Sequence, residues 1–217
     1  MNRKAVILLS GGIDSATCLY IAKSKNYQLY PLIFDYGQRH KKELDSAINI
    51  ANSLNLNPTL LKIHFPWKGS SLLDAAINIP QGAREIPNTY VPGRNIIFLS
   101  FALSFAEAID ADAIFIGAHM QDYSGYPDCR DNFFKAFRKT ASLGTKRGIE
   151  KKAIKIFTPL IDKGKREIIS LGLGLGVPYE LTWSCYEGGE NPCRKCDSCL
   201  FRERAFEALE LGDPLLK

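Results

Sequence analysis

Two stretches of this sequence combine residue types and spacings that can do chemistry. The first runs Ser10, Gly11, Gly12, Ile13, Asp14, Ser15, directly after the apolar run KAVILL at residues 4–9. Glycines lack Cβ, so backbone N–H groups there can close on phosphate oxygens; the serines add hydroxyl donors, and a helix starting behind them adds its dipole. Asp14 would repel a bare phosphate. Beside an anionic ligand its carboxylate is expected to face Mg²⁺ or to cap the following helix. A plain Gly-Gly turn before a helix cap is the non-functional reading of the same residues.

The second stretch spaces Cys185, Cys193, Cys196 and Cys199 with Gly188, Gly189 and Pro192 between them, where the backbone can turn. Four thiolates suit tetrahedral Zn²⁺ and leave no coordination position open, so a structural zinc site is expected. An iron–sulfur cluster is the second reading. A redox pair at Cys193 and Cys196 is the third, although it would leave Cys185 and Cys199 unused. Of the other thiols, Cys18 falls on the apolar face of a predicted helix and reads as core. Cys129 lies in a polar segment and reads as near substrate or as an ordinary buried cysteine.

The chain has 217 residues and a formal net charge of +5, enough for one α/β domain with a small appendage. A modest positive balance suits an anionic nucleotide. Lysine and arginine concentrate at residues 138–155, which read first as a solvated face and only second as a nucleic-acid contact. Six cysteines are read as metal ligands or catalytic groups because cytosolic thiols stay reduced. The first strand-like run begins at residue 4 with no basic leader and no long apolar stretch, so a cytoplasmic home away from membranes is expected. No G-x4-G-K-[ST] occurs. Gly172, Gly174 and Gly176 follow a predicted helix rather than a strand and read as a helix-ending turn.

Several elements must position these groups. Residues 4–9 read as a buried strand, 16–25 as a helix and 27–34 as a second strand, a βαβ unit. Leu44, Ala47, Ile48 and Ala51 mark one face of a helix over residues 40–54, and 58–63 supply a third strand. Residues 95–109 are apolar on nearly all sides, which predicts a buried helix, and 113–117 form a fourth strand. A short strand at 156–160 and a helix at 163–171 precede the cysteine-rich tail. The alternation predicts an α/β, doubly wound, mostly parallel sheet that binds ligands beyond the carboxyl ends of its strands. Residues 1–180 would form the nucleotide-binding domain, and 181–217 a four-cysteine zinc-binding tail packed on it.

With these elements in place, SGGIDS at residues 10–15 resembles the PP-loop signature of ATP pyrophosphatases, which form substrate adenylates and release pyrophosphate. FDYGQRH at 34–40, VPGRN at 91–95, GAHMQDYSGYPDCR at 117–130 and the four-cysteine tail together resemble the 7-cyano-7-deazaguanine synthase family, over nearly the whole chain. The resemblance implies an adenine nucleotide alpha hydrolase-like fold. It also implies a ligase that converts 7-carboxy-7-deazaguanine, ammonia and ATP to the 7-cyano base of queuosine or archaeosine synthesis.

By the same resemblance, Leu8, Leu9, Ser10, Gly11, Gly12, Ile13, Asp14, Ser15, Ala16, Thr17 and Cys18 surround ATP, with Asp14 near Mg²⁺. Arg94 contacts an α-phosphate or carboxylate, its planar fork suiting bidentate anion binding. Lys165 faces phosphate. Asp122, Tyr123, Asp128 and Arg130 bind the deazaguanine. His40 or His119 is expected to accept a proton from ammonium, and His64 has no role. The stretch 145–152 matches no motif. A PP-loop tRNA thiolase is the alternative function and a non-enzymatic zinc-ribbon module a further one; a homodimer is expected.

Overall fold

A computed structural model describes residues 3–74, 76, 77, 78, 88–119 and 126–216. Five parallel strands form one sheet: β1 (Lys4–Leu8), β2 (Gln28–Asp35), β3 (Thr59–Lys62), β4 (Ala113–Phe115) and β5 (Lys155–Phe157), in the order β3-β2-β1-β4-β5. In β1 the period of two is visible in the packing. Ala5 and Ile7 enter one core and Val6 and Leu8 the other, so the strand is apolar throughout because both faces are covered. The first core takes α1 (Ile13–Ser24), α2 (Lys42–Ser53), α6 (Lys165–Gly174) and, through Ala205 and Phe206, α7 (Asp197–Glu207). The second takes α3 (Arg94–Ala108) and α4 (Asp131–Gly144). A short α5 (Lys146–Ile149) follows α4.

Strand order reverses between β1 and β4. The crevice there lies at the carboxyl ends of both strands, where a doubly wound sheet binds its ligand.

Several expectations change. The first helix begins at Ile13, so Asp14 and Ser15 sit in its first turn; Gly12 is the N-cap residue and no side chain caps it, Asp14 included. The helix α3 is not buried all round: Phe98, Leu99, Ala102 and Ala106 face the sheet, while Ile96 and Phe101 are 47% and 42% exposed. Residues 131–144, assigned no element from sequence, form α4, whose buried Phe134, Phe137 and Ala141 recur at helical spacing. Gly172 lies inside α6, where a Cβ would meet the Tyr179 hydroxyl, and the left-handed turn comes at Gly176. The unassigned stretch 145–152 holds α5, capped by Thr145 Oγ1, which accepts from Gly148 N at 3.0 Å; Arg147 pairs with Asp110 at 3.0 Å.

Candidate active site

The loop after β1 is shaped by what it packs against. Gly11 takes φ +84°, and a Cβ there would fall 2.2 Å from the Glu43 carbonyl oxygen on α2. Only glycine meets both demands. On the other side, a Cβ on Gly117 after β4 would lie 2.8 Å from the Asp14 carbonyl carbon. The α1 N-terminus is thereby clamped between α2 and the end of β4. Inside the loop, Ser15 Oγ accepts from Ser10 N and meets Ser10 Oγ, both at 3.1 Å, and donates to Gly12 O. These bonds hold the turn in shape and leave the uncapped first-turn amides as the anion-binding group.

Two distant segments converge on Asp14. Lys165 Nζ, at the start of α6, lies 2.8 Å from both carboxylate oxygens. His119 Nε2 lies 3.2 Å from Asp14 Oδ2 and 3.0 Å from Lys165 Nζ. Burial acts to raise the Asp14 carboxyl, but the Lys165 ammonium and His119 outweigh it and hold it well below the usual carboxylate range. The group is ionised at neutral pH.

A cavity of about 350 Å³ opens from this cluster across the carboxyl end of the sheet. Its lining includes Ser10, Gly12, Asp14 and Lys165, together with Tyr36, Gln38, Glu43, Arg94 and Cys129. Arg94 Nη1 donates to Tyr36 Oη at 3.3 Å, and the guanidinium lies 5.8 Å from the Tyr36 ring centroid. Burial, with the Glu43 carboxylate, pushes the Tyr36 hydroxyl up to about 12 against the pull of Arg94. Burial also pushes the Glu43 carboxyl up, to about 7, with Arg94 and Gln38 opposing it. Cys129 is 3% exposed, and Asn95 Nδ2 donates to its sulfur at 3.1 Å.

The four tail cysteines bring their sulfurs within 4.8 Å of one another, with Cys193 and Cys199 4.0 Å apart. Four thiolates sharing one tetrahedral ion at about 2.3 Å sit about 3.8 Å apart, so the cluster fits a single metal. A four-iron cluster holds each sulfur on a separate iron and needs a wider spread. Backbone amides point at the sulfurs as they would at thiolates: Glu187 N and Cys193 N donate to Cys185 at 3.4 and 3.3 Å, and Lys195 N and Cys196 N to Cys193, both at 3.4 Å. The cluster is tied to the phosphate loop. Trp183, two residues before Cys185, donates its backbone N–H to Gly11 O at 2.9 Å, and its indole donates to Cys185 O at 2.8 Å.

The family model for "Queuosine biosynthesis protein QueC" matches residues 4–210. The chain belongs to the QueC family. Among its curated relatives, a 7-cyano-7-deazaguanine synthase of Prochlorococcus marinus is 53% identical over 211 residues, covering 95% of this chain and 94% of that one. The synthase of Acetivibrio thermocellus is 49% identical over 215 residues, covering 98% and 97%. Among solved structures, NMN synthetase from Francisella tularensis has a TM-score of 0.52 at 14% identity, covering 97% of this chain and 79% of that one, a likeness of fold.

In this QueC chain Leu8, Leu9, Ser10, Gly12, Ile13, Asp14 and Ser15 line one cavity with Arg94 and Lys165, whereas Gly11, Ala16, Thr17 and Cys18 of the expected nucleotide site do not. Ala16, Thr17 and Cys18 are fully buried on α1, and burial pushes the Cys18 thiol up. Asp122 and Tyr123 lie outside the described residues. Asp128 is buried, and its Oδ2 accepts from Asn95 N at 2.9 Å, satisfying a first-turn amide of α3. Arg130 is exposed at the start of α4 and does not line the cavity. Sequence reasoning passed over Glu43. Its signal was position: it sits in the first turn of the helix that follows β2, at the same end of the sheet as the phosphate loop.

Proposed function

We propose that this chain makes 7-cyano-7-deazaguanine from 7-carboxy-7-deazaguanine, ammonia and ATP. The observation that carries the reading is the cavity in which a phosphate loop, an ammonium group and a guanidinium converge, in a chain of the QueC family.

A carboxylate is a poor electrophile, so it must first acquire a good leaving group. In the proposed reaction the amides and hydroxyls of Ser10–Ser15 hold the β- and γ-phosphates, and Arg94 orients the substrate carboxylate against the α-phosphorus. The carboxylate oxygen attacks, pyrophosphate leaves, and Lys165 balances the negative charge that develops between them. Asp14, ionised at neutral pH, is the group that would hold Mg²⁺, which when bound neutralises phosphate charge. Ammonia then displaces AMP from the acyl carbon to give an amide. Activation of the amide oxygen by a second ATP allows that oxygen and the remaining N–H protons to depart, leaving the nitrile. The recognition of the base is assigned to Asp122 and Tyr123 on the stretch before α4, with Asp128 positioning that stretch through its bond to Asn95 and Arg130 left outside the cavity.

The four cysteines are proposed to hold structural Zn²⁺, since their thiols saturate a tetrahedral ion and the strap before them braces Gly11. On this reading residues 1–180 carry the chemistry and 181–217 the metal-bound tail. A cytoplasmic location belongs to the same reading, because a reducing compartment keeps the four thiols available to a metal. No helix among the described residues is long and apolar enough to cross a membrane. A homodimer belongs to the same reading.

Purified protein given ATP, ammonium and the carboxy-deazaguanine is expected to convert the acid to amide and then nitrile, followed by mass. No ATP-dependent change in the mass of the acid refutes the reading.

A further inference from the structure

Building on the proposed reaction, the cavity raises a question of proton inventory. At neutral pH the nitrogen source is almost entirely ammonium, which has no lone pair and cannot attack a carbonyl. One group in the cavity must bind the cation and take a proton.

Three other groups near the cavity are weaker candidates. Asp14 is held by Lys165 at 2.8 Å and lies far below the carboxylate range, which makes it a weak base. His119 is 1% exposed and its Nε2 is shared between Asp14 and Lys165. His40 lines the cavity and its buried Nδ1 has no hydrogen-bond partner among the described residues, but its Cβ packs against Gly188 of the cysteine tail and burial holds the imidazole below its ordinary range, which makes it a weaker proton acceptor.

Glu43 is placed differently. Its helix starts beside the phosphate loop, with the Glu43 carbonyl pressed against Gly11, and Glu43 lines the same cavity as that loop. Facing it are Tyr36 and Gln38 from the segment after β2 and Arg94 from α3. The carboxylate therefore shares the cavity with the phosphate loop and lies within electrostatic reach of the guanidinium assigned to the acyl group.

We propose that Glu43 is the base that binds ammonium in this cavity and removes one proton, delivering ammonia to the acyl adenylate held at Arg94. The transferred proton goes to a Glu43 carboxylate oxygen. The freed lone pair on nitrogen forms the C–N bond while the C–O bond to AMP breaks, and the excess proton on nitrogen passes to the departing AMP phosphate. Glu43 returns its proton to solvent before the next cycle. A carboxyl raised to about 7 is matched to this exchange near neutral pH.

The test compares wild type with Glu43→Gln, an isosteric change, in three assays. In acid-dependent ATP–pyrophosphate exchange without ammonium, the variant is expected to match wild type. In amide formation from ammonium at pH 7 it is expected to fall about 100-fold or more. With hydroxylamine, which is largely unprotonated at neutral pH, it is expected to form the hydroxamate at the wild-type rate. Loss of exchange or of hydroxamate in the variant overturns the assignment, because Glu43 would then serve nucleotide or acid binding. An undiminished rate with ammonium overturns it as well. If wild type itself shows no acid-dependent exchange, the parent reading fails and takes this one with it.

Discussion

Lys165 Nζ lies 2.8 Å from each carboxylate oxygen of Asp14, a residue 151 positions earlier in the chain. The pair ties the start of α6 to the first turn of α1, and His119 joins it from the end of β4. On the proposed reaction a triphosphate would compete with Asp14 for the Lys165 ammonium, and the pair balances the two charges in its absence.

Replacing Lys165 by Met strands the Asp14 carboxylate in a largely buried setting. The expected loss is about 1–3 kcal/mol of stability, read by urea denaturation, and about 100-fold in ATP-dependent turnover. Adding Asp14→Asn should recover most of the stability and none of the activity. Recovery of activity in the double variant would contradict the role given to Lys165.

Glu43 sets a pH dependence of opposite sign to that of a salt-bridged carboxylate. In the folded chain its carboxyl keeps the proton up to about 7, whereas the ordinary value is 4.5. Between these values the folded state binds more protons than the unfolded state, so stability falls as pH rises, and the full cost is present above about pH 7. Glu43→Gln is therefore expected to match wild type at pH 4 and to be more stable by an amount on the order of 2 kcal/mol at pH 8. Equal stabilities at pH 8 would show that the carboxyl is not raised.

Metal content and nucleotide affinity should move together, because the strap that reaches Cys185 also donates from Trp183 N to Gly11 O. Cys196→Ser is expected to lose stoichiometric zinc by elemental analysis, to lower the thermal midpoint by roughly 5 °C or more, and to raise KM for ATP. A metal-free variant with wild-type melting and KM would refute the bracing role.

Two glycines make a matched pair. Gly117→Ala puts a Cβ 2.8 Å from backbone that cannot yield easily, so a loss of about 1–3 kcal/mol with weakened ATP binding is expected. Gly144→Ala at the end of α4 meets nothing within 4 Å and should be neutral or stabilising by up to about 1 kcal/mol. Thermal melts of both variants, beside ATP titrations, check the contrast.

Local order determined what was legible from sequence alone. The run at 4–9, the Gly-Gly turn and the cysteine spacing each encode their geometry within a dozen or so residues, through strand period, absent Cβ atoms and thiolate chemistry. The strands β1 to β5 and the four-thiol cluster were readable for that reason. The helix α4 was readable too, from Phe134, Phe137 and Ala141, but its lysines and arginines drew attention to charge instead of period.

Tertiary structure decided the rest. That Asp14 meets Lys165 and His119, that Asp128 serves α3, and that Glu43 enters the cavity beside Arg94 depend on strand order and on where each helix returns to the sheet. The phosphate loop is written in one short segment because backbone amides of consecutive residues make it. The charge around it is set by side chains up to 151 positions away, and only the packed sheet brings those within reach.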